Sequence, residues 1–514
     1  MTSRVGRIPA STVLVLVVWI GLSVALAVWA IAVGTPAAIG FCAAAPLLWT
    51  TGMRSFALWM RAAVRGRSGR VARAATPAVV MVPESGGAAS ADASAMRVAL
   101  LYCVADDADT AAITASARQD VAVDVVVLDD SREPAQRARV DAAARADWTV
   151  VRRRDRRGFK AGNLNHGLDQ LRGRYDAYVL CDADVVLPGD FVRRLLPALS
   201  DPTVAVVQAQ PVARAGRTWF ARYFGPLLRT HVAVTRGGRS ATGVVALLGR
   251  GALVRATALD DVGGVPEVVA EDLALTVALR RRGWRLVDAD VEFAEDYPVD
   301  YRSFRTQLRK TTEGAVEVLR SHARPSAWRG LPRAEARDLL LETALVPLTA
   351  LAGAAALVAG AALAAGGTPP PLWASAASAI AAAAPLLPEA IRRGRLRGVA
   401  AGAVFLLVAG ALYASTMFVV LAAVLRTLSG RRAVFWITPK SAARPGQVLG
   451  MLRAELVLVP VLAMLSVVAS GTAVSSLAPV GVVAMALAFA APGLRSAVGG
   501  AGGVPSGADV VAPT

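Results

Sequence analysis

Apolar runs about as long as a bilayer is thick stand at both ends of this chain of 514 residues and are missing from its middle. Residues 12–33 and about 37–53 are such runs, joined by an uncharged Gly-Thr-Pro turn. Each meets or approaches the roughly 20 residues a helix needs to cross hydrocarbon. After Pro332 the pattern returns at about 339–364, 372–390, 398–426, 454–473 and 477–494. A chain patterned this way folds as membrane helices flanking a globular domain. A cleaved secretory leader would have a shorter apolar stretch and no second run directly behind it.

Basic residues give the helices a direction. Arg4 and Arg7 precede the first hairpin, and Arg54, Arg61, Arg65, Arg67 and Arg70 follow it, so the positive-inside bias puts both of its ends in the cytosol. The chain carries 56 Lys+Arg against 38 Asp+Glu, a formal charge of +18, yet 55% of its residues are hydrophobic. In such a chain the basic excess belongs to the cytosolic flanks of membrane helices, and no nucleic acid is expected as a partner. A full span at 398–426 would carry Arg426, Arg431, Arg432 and Lys440 outside. That segment is therefore expected to be interfacial or re-entrant, leaving six spans with both termini inside.

Between Arg97 and about Ser321 the charges are mixed and short β-type runs recur, at 98–104, 123–130, 147–153, 175–184, 204–210 and 284–293. Helix-type stretches at 110–119, 134–145, 160–171 and 189–199 separate several of them. Strands alternating with helices imply a mostly parallel α/β sheet, whose ligand site lies at the carboxyl ends of the strands. Two of those ends are acidic, Asp129-Asp130 and Asp182-Ala183-Asp184. Residues 75–96, rich in Ala, Ser, Gly and Pro, read as a linker. Trp219, Phe220, Tyr223 and Phe224 sit at helical spacing, as expected of an amphipathic element at the membrane surface.

Rarities locate the chemistry. Lys occurs only at 160, 310 and 440, and Asn only at 163 and 165, in a chain whose other positive charges are all Arg. Lys160 and both asparagines share the stretch Gly158-Phe159-Lys160-Ala161-Gly162-Asn163-Leu164-Asn165-His166, between the two acidic strand ends. Glycines there allow close backbone approach, and a lysine is a compact charge suited to phosphate. Asp182 and Asp184, one residue apart, can both reach a hard cation such as Mg²⁺ or Mn²⁺, with substrate phosphates completing its shell; taken alone, such a triplet reads equally well as a turn. Cys42, Cys103 and Cys181 show no CxxC spacing, which leaves neither a zinc site nor a disulfide framework.

In chain order, DDS (129–131), GFKAGNLN (158–165), DAD (182–184), VQAQP (207–211), GRGALVR (249–255), VAEDL (269–273), EDYPVDY and QLRKTTEG (295–314), and FWITPK (435–440) resemble the membrane-embedded family 2 glycosyltransferases, the group of cellulose and hyaluronan synthases. The resemblance covers nearly the whole chain. It implies an α/β GT-A domain set in a helical transmembrane bundle at the plasma (inner) membrane, with the catalytic domain cytosolic. The implied organisation is a transmembrane hairpin (1–60), a cytosolic linker (61–96), a GT-A domain with an interfacial QxxRW-like helix (97–321) and a transmembrane pair (322–397). An interfacial helix with a gating-like loop (398–453), a second transmembrane pair (454–494) and a flexible tail (495–514) follow.

It also implies an inverting transfer from a nucleotide-diphospho-sugar, a UDP-sugar above others, to a glycan or lipid-linked acceptor, with Mg²⁺ or Mn²⁺. Donor binding then falls to Asp129, Asp130, Lys160, Asn163, Asp182 and Lys310, and the metal to Asp182 and Asp184. Asp272, beside Glu271, matches the family's general base. Gln208, Gln210, Gln307 and Thr311 fall at acceptor or product positions. Phe435, Ile437, Thr438 and Lys440 match the gating loop. Two positions depart from the pattern: Lys310 replaces the Arg of QxxRW and Thr311 its Trp, which removes a flat surface for stacking a sugar. Processive synthesis, transfer of one or a few sugars, and a non-catalytic binding or transport role all remain readings of the sequence.

Overall fold

The structure, a computed structural model, describes residues 10–68, 96–144, 147–216, 218–239, 245–322, 328–436 and 438. The expected C-terminal pair at 454–494, the tail, most of the linker, Ile437 and Lys440 lie outside the described residues.

Seven strands, β1 (Val98–Val104), β2 (Asp124–Asp129), β3 (Trp148–Val151), β4 (Ala177–Asp182), β5 (Val204–Ala213), β6 (Ala252–Arg255) and β7 (Arg285–Glu295), form one sheet in the order β3-β2-β1-β4-β6-β5-β7. Every pairing is parallel except those of β6, which runs antiparallel to both β4 and β5. The mostly parallel α/β sheet expected from the sequence is thus present. In β1, Val98, Leu100, Tyr102 and Val104 face one core, and Ala99 and Leu101 the other. The strand is buried on both sides, which is why it reads as a continuous apolar run rather than an alternating one.

Helices α1 (Ala10–Val33) and α2 (Pro36–Ser68) precede the sheet. Within the domain lie α3 (Thr110–Ser116), α4 (Pro134–Ala143), α5 (Phe159–Leu171), α6 (Phe191–Leu195), α7 (Trp219–Phe224), α8 (Pro226–Arg239), α9 (Ala256–Asp261), α10 (Glu271–Arg281) and α11 (Tyr301–Ser321). Then come α12 (Arg333–Ala365), α13 (Leu372–Ala383), α14 (Leu387–Arg397), α15 (Val399–Ser415) and α16 (Met417–Leu428). Among the described residues, five helical segments are long and apolar enough to cross a membrane: Thr12–Val33, Pro36–Ala63, Arg333–Ala365, Leu372–Arg397 and Val399–Leu428. The last contains the stretch expected to be interfacial, and it breaks at Thr416 between α15 and α16.

The domain meets these helices through an aromatic seam. Phe220 and Phe224 of α7, Tyr301 and Phe304 of α11 and Phe405 of α15 are buried in one cluster. Arg393 of α14 lies over the rings of both Tyr223 and Phe405, at 4.7 and 4.0 Å. The aromatic helix at 219–224 therefore joins the α/β domain to the helical layer.

The strand that the sequence does not announce is β6. Gly251 admits it: at φ 57° its N–H donates to Leu180 O of β4 and its carbonyl accepts from Ala209 of β5. A Cβ at this position would fall 2.1 Å from the Phe293 ring. Gly251→Ala is expected to destabilise the protein by about 1–3 kcal/mol, from backbone strain and overpacking together; the denaturation midpoint in detergent, against wild type, checks this.

Candidate active site

A cavity of about 510 Å³ opens at the carboxyl ends of β1 and β4. Its lining includes Asp130, Lys160, Asn163, Asp182, Asp184, Glu271, Asp272, Gln307, Lys310, Thr311, Phe435 and Thr438, all singled out above. Segments up to about 300 residues apart in sequence thus converge on one space.

Lys160 is the hub. It sits in the first turn of α5, after Gly158 and Phe159, both at positive φ (72° and 51°). That turn aims its ammonium at Asp182 Oδ1 (2.6 Å), Glu271 Oε1 (3.3 Å) and the Gly249 carbonyl (2.9 Å). Burial opposes the charge on Lys160, but Asp182 and Glu271 outweigh it and hold the pKa above its ordinary value. Burial would likewise push Asp182 up; Lys160 and then Arg250, whose Nε lies 3.9 Å from Asp182 Oδ2, instead bring it down to about 2. Glu271 goes the other way: burial raises it despite Lys160. Gly249, at φ 74°, lets the loop before β6 pass against Lys160 and Asp272, whose atoms lie 3.5 and 3.3 Å from where a Cβ would stand.

Asp272 opens α10 beside Glu271 and accepts a hydrogen bond from the Leu273 N–H at 2.8 Å. Asp184 accepts from the Asp296 N–H at 3.0 Å. Among the described residues no three metal-ligating side chains cluster; Asp182 and Asp184 both line the cavity. Two carboxylates with remaining positions left to phosphate and water suit Mg²⁺ or Mn²⁺, and the donor chemistry fits such an ion.

Asn163 presents a buried acceptor to the cavity. Its Nδ2 donates to Leu128 O at 2.8 Å, which fixes the amide orientation, and its Oδ1 has no hydrogen-bond partner in the structure. Lys310 projects from α11 with Phe435 over it, Nζ 4.6 Å from the ring centroid. Burial lowers its pKa, against the pull of Asp182 and Glu271.

Three expected residues are placed elsewhere. Asp129 lies behind the wall, its carboxylate taken by Arg152 (2.7 Å) and the Ser131 N–H (2.9 Å). Gln208 is buried and spans the loop before β6, donating to the carbonyls of Arg250 and Gly251 and accepting from the Leu248 N–H. Gln210 reaches Asp290 at 2.9 Å, away from the cavity. Asp130 lines the cavity, but both of its oxygens are held by Arg153, at 2.8 and 2.6 Å.

The sequence reading missed Arg250, Arg132, Arg156 and Phe159 as cavity residues. Arg250, which binds Glu295 through two nitrogens and reaches toward Asp182, and Phe159 both stood inside quoted motifs. The other two carried no signal among so many arginines.

An α/β domain with cations and carboxylates converging at its strand ends is thus joined to helices of membrane length. Residues 178–428 match the family model described as Glycosyl transferase family group 2. The chain is 33% identical over 151 residues to a glucans biosynthesis glucosyltransferase H of Xylella fastidiosa, covering 26% of this chain and 23% of that one. It is 28% identical over 208 residues to a probable glucomannan 4-beta-mannosyltransferase 15 of Arabidopsis thaliana, covering 38% and 39%. The chain thus spans well under half the length of these relatives. Among solved structures, the mannosyltransferase PcManGT of Pyrobaculum calidifontis, in complex with GDP-Man and Mn²⁺, aligns at TM-score 0.47 and 20% identity over 74% of this chain and 99% of that one.

Cys103 reports on the site's electrostatics. It lines the cavity, and burial pushes its thiol up to about 12, with Asp182, Glu271 and Asp130 adding to the rise against Lys160. Its alkylation by iodoacetamide near neutral pH is expected to be at least about a hundredfold slower than that of a free thiol, as read by mass spectrometry of the modified peptide.

Proposed function

We propose that the chain is an inverting glycosyltransferase that moves a hexosyl group from a nucleotide-diphospho-sugar, a UDP-sugar foremost, to a glycan hydroxyl at the cytosolic face of the plasma membrane. The observation that carries this is that Lys160, Asp182, Asp184 and Asp272 line one cavity, with Lys160 paired to Asp182. The relatives' names, a glucan glucosyltransferase and a glucomannan 4-beta-mannosyltransferase, support a β-linked polysaccharide as product.

In this reading Asp272 takes the proton of the acceptor hydroxyl as its oxygen bonds to the anomeric carbon. The bond from that carbon to the diphosphate breaks on the opposite side, and the nucleoside diphosphate leaves with the electron pair. A diphosphate is a good leaving group, so no second, acidic carboxylate is needed; charge stabilisation at its oxygens is. Lys160 and Lys310 supply positive charge there. A divalent ion at Asp182 and Asp184 would add to it, as a Lewis acid on the diphosphate. Asn163 Oδ1, an acceptor needing a donor, suits a hydroxyl or N–H of the nucleoside.

For the topology, both ends of Val399–Leu428 touch elements of the α/β domain or its interfacial helix: Phe405 packs on α7 and Arg426 pairs with Glu313 of α11 at 3.0 Å. These contacts support a segment that lies along the membrane surface. A second reading, transfer of only one or a few sugars, is favoured by Thr311. This residue lines the cavity where a stacking ring would serve a growing chain, and its hydroxyl donates to Gln307 O at 3.0 Å.

Membranes containing the protein are expected to release nucleotide from UDP- or GDP-sugars, and Asp272→Asn to lower the rate by about 10²–10⁴-fold. Equal rates in mutant and wild type would remove Asp272 from the role of base. Lys160→Met is expected to raise the donor KM, because it removes a cation of the cavity that this reading assigns to the diphosphate; sizing of the product separates the processive from the short-transfer reading.

A further inference from the structure

The chain after α16 returns to the cavity, and one buried carboxylate controls how it does so. Glu313 of α11 has no exposed surface. Its Oε1 accepts from Arg309 Nε at 2.9 Å, and its Oε2 accepts from Arg426 Nη1 at 3.0 Å and from the Val434 N–H at 3.1 Å. One side chain thus ties α11 to the end of α16 and to the strap that follows. Arg426 extends the tie by donating to Arg432 O at 3.3 Å.

The next residues of the strap reach the cavity. Phe435 stacks on Phe159, centroids 6.0 Å apart at 22°, and its ring receives Lys310. The Trp436 ring lies under the Arg309 guanidinium, with Cζ 4.6 Å from the ring centroid. Arg309 therefore contacts both Glu313 and the strap. Phe435 and Thr438 line the cavity together with Lys310 and Thr311 of the same helix. Glu313 stands three residues beyond Lys310, about one helical turn, and does not line the cavity. It sets where the strap begins relative to the helix face that meets the substrate.

We infer that Glu313 is a positioning residue: by binding Arg309, Arg426 and the Val434 N–H at once it holds the strap so that Phe435 stays clamped between Phe159 and Lys310 over the donor. The inference rests on the transferase reading for its consequence in catalysis, though not for its geometry. A buried carboxylate with two cations and an amide on it is costly to disturb, since removing its charge leaves both guanidiniums short of a partner. No contact of Glu313 is with the cavity itself, so its effect on the reaction passes through Phe435 and Lys310.

Two measurements on the full-length protein in membranes test this. Arg431 and Arg432 are exposed at the start of the strap, so trypsin reports local opening through a fragment beginning at Ala433, identified by mass spectrometry. Glu313→Gln is expected to raise the rate of that cleavage by about tenfold or more. It should also raise the donor KM by a similar factor with a smaller change in kcat. Arg426→Met, which leaves Arg309 and the Val434 N–H on the carboxylate, should do the same to a lesser degree, and the two substitutions together should act less than additively. Cleavage and KM at wild-type values in both single variants would overturn the inference. Faster cleavage in the variants, with no turnover of any sugar nucleotide even in wild type, would leave the positioning role standing and overturn the transferase reading instead.

Discussion

The ammonium of Lys160 is the contact on which the site depends. It joins the first turn of α5 to the end of β4 through Asp182, to the start of α10 through Glu271, and to the loop before β6 through Gly249 O. Without it, carboxylates from two elements would face each other in a half-buried space, and each would resist ionisation. The positive-φ pair Gly158-Phe159, the small residue at 249 and the antiparallel insertion of β6 all serve to bring these three partners to one point. Asp182 and Glu271 together neutralise this cation within the cavity.

Much of this was legible in the sequence, for physical reasons that can be named. A strand buried on both faces is a bare apolar run, and β1, β2 and β4 were found that way; the acidic residues at their ends followed from where a chain leaves a parallel sheet. Lys160 and Asn163 stood out because their residue types are nearly absent elsewhere. The four-residue β6 escaped because it is too short to show a period and enters through Gly-Arg-Gly, which reads as a loop. Asp129 reads like a ligand from its place at a strand end, but Arg152 and Arg153 just after β3, absent from any local pattern, hold the two carboxylates, and Asp130 lines the cavity where Asp129 does not. Gln208 likewise looks outward in the motif and is turned inward by the carbonyls of the loop before β6.

The helix α11 couples the chemistry to the helical layer. Phe304 packs into the aromatic seam with α7 and α15, and Val316 joins Ala350 of α12 and Val420 and Val424 of α16. Gln307, Lys310 and Thr311 meanwhile face the cavity. A 21-residue helix with three such faces is amphipathic in sequence, and periodicity alone cannot say that its polar side is itself divided between a cavity and a neighbouring strap.

The identity of residue 310 follows from its surroundings. A guanidinium, planar and nearly impossible to deprotonate, is suited to gripping a phosphate through two parallel bonds. Lys310 presents a single ammonium, buried beneath the Phe435 ring, where burial lowers its pKa. The ring face attracts a cation most strongly once water is excluded, so the Phe435 ring favours the charged form of Lys310. Asp182 and Glu271 pull in the same direction from the cavity side.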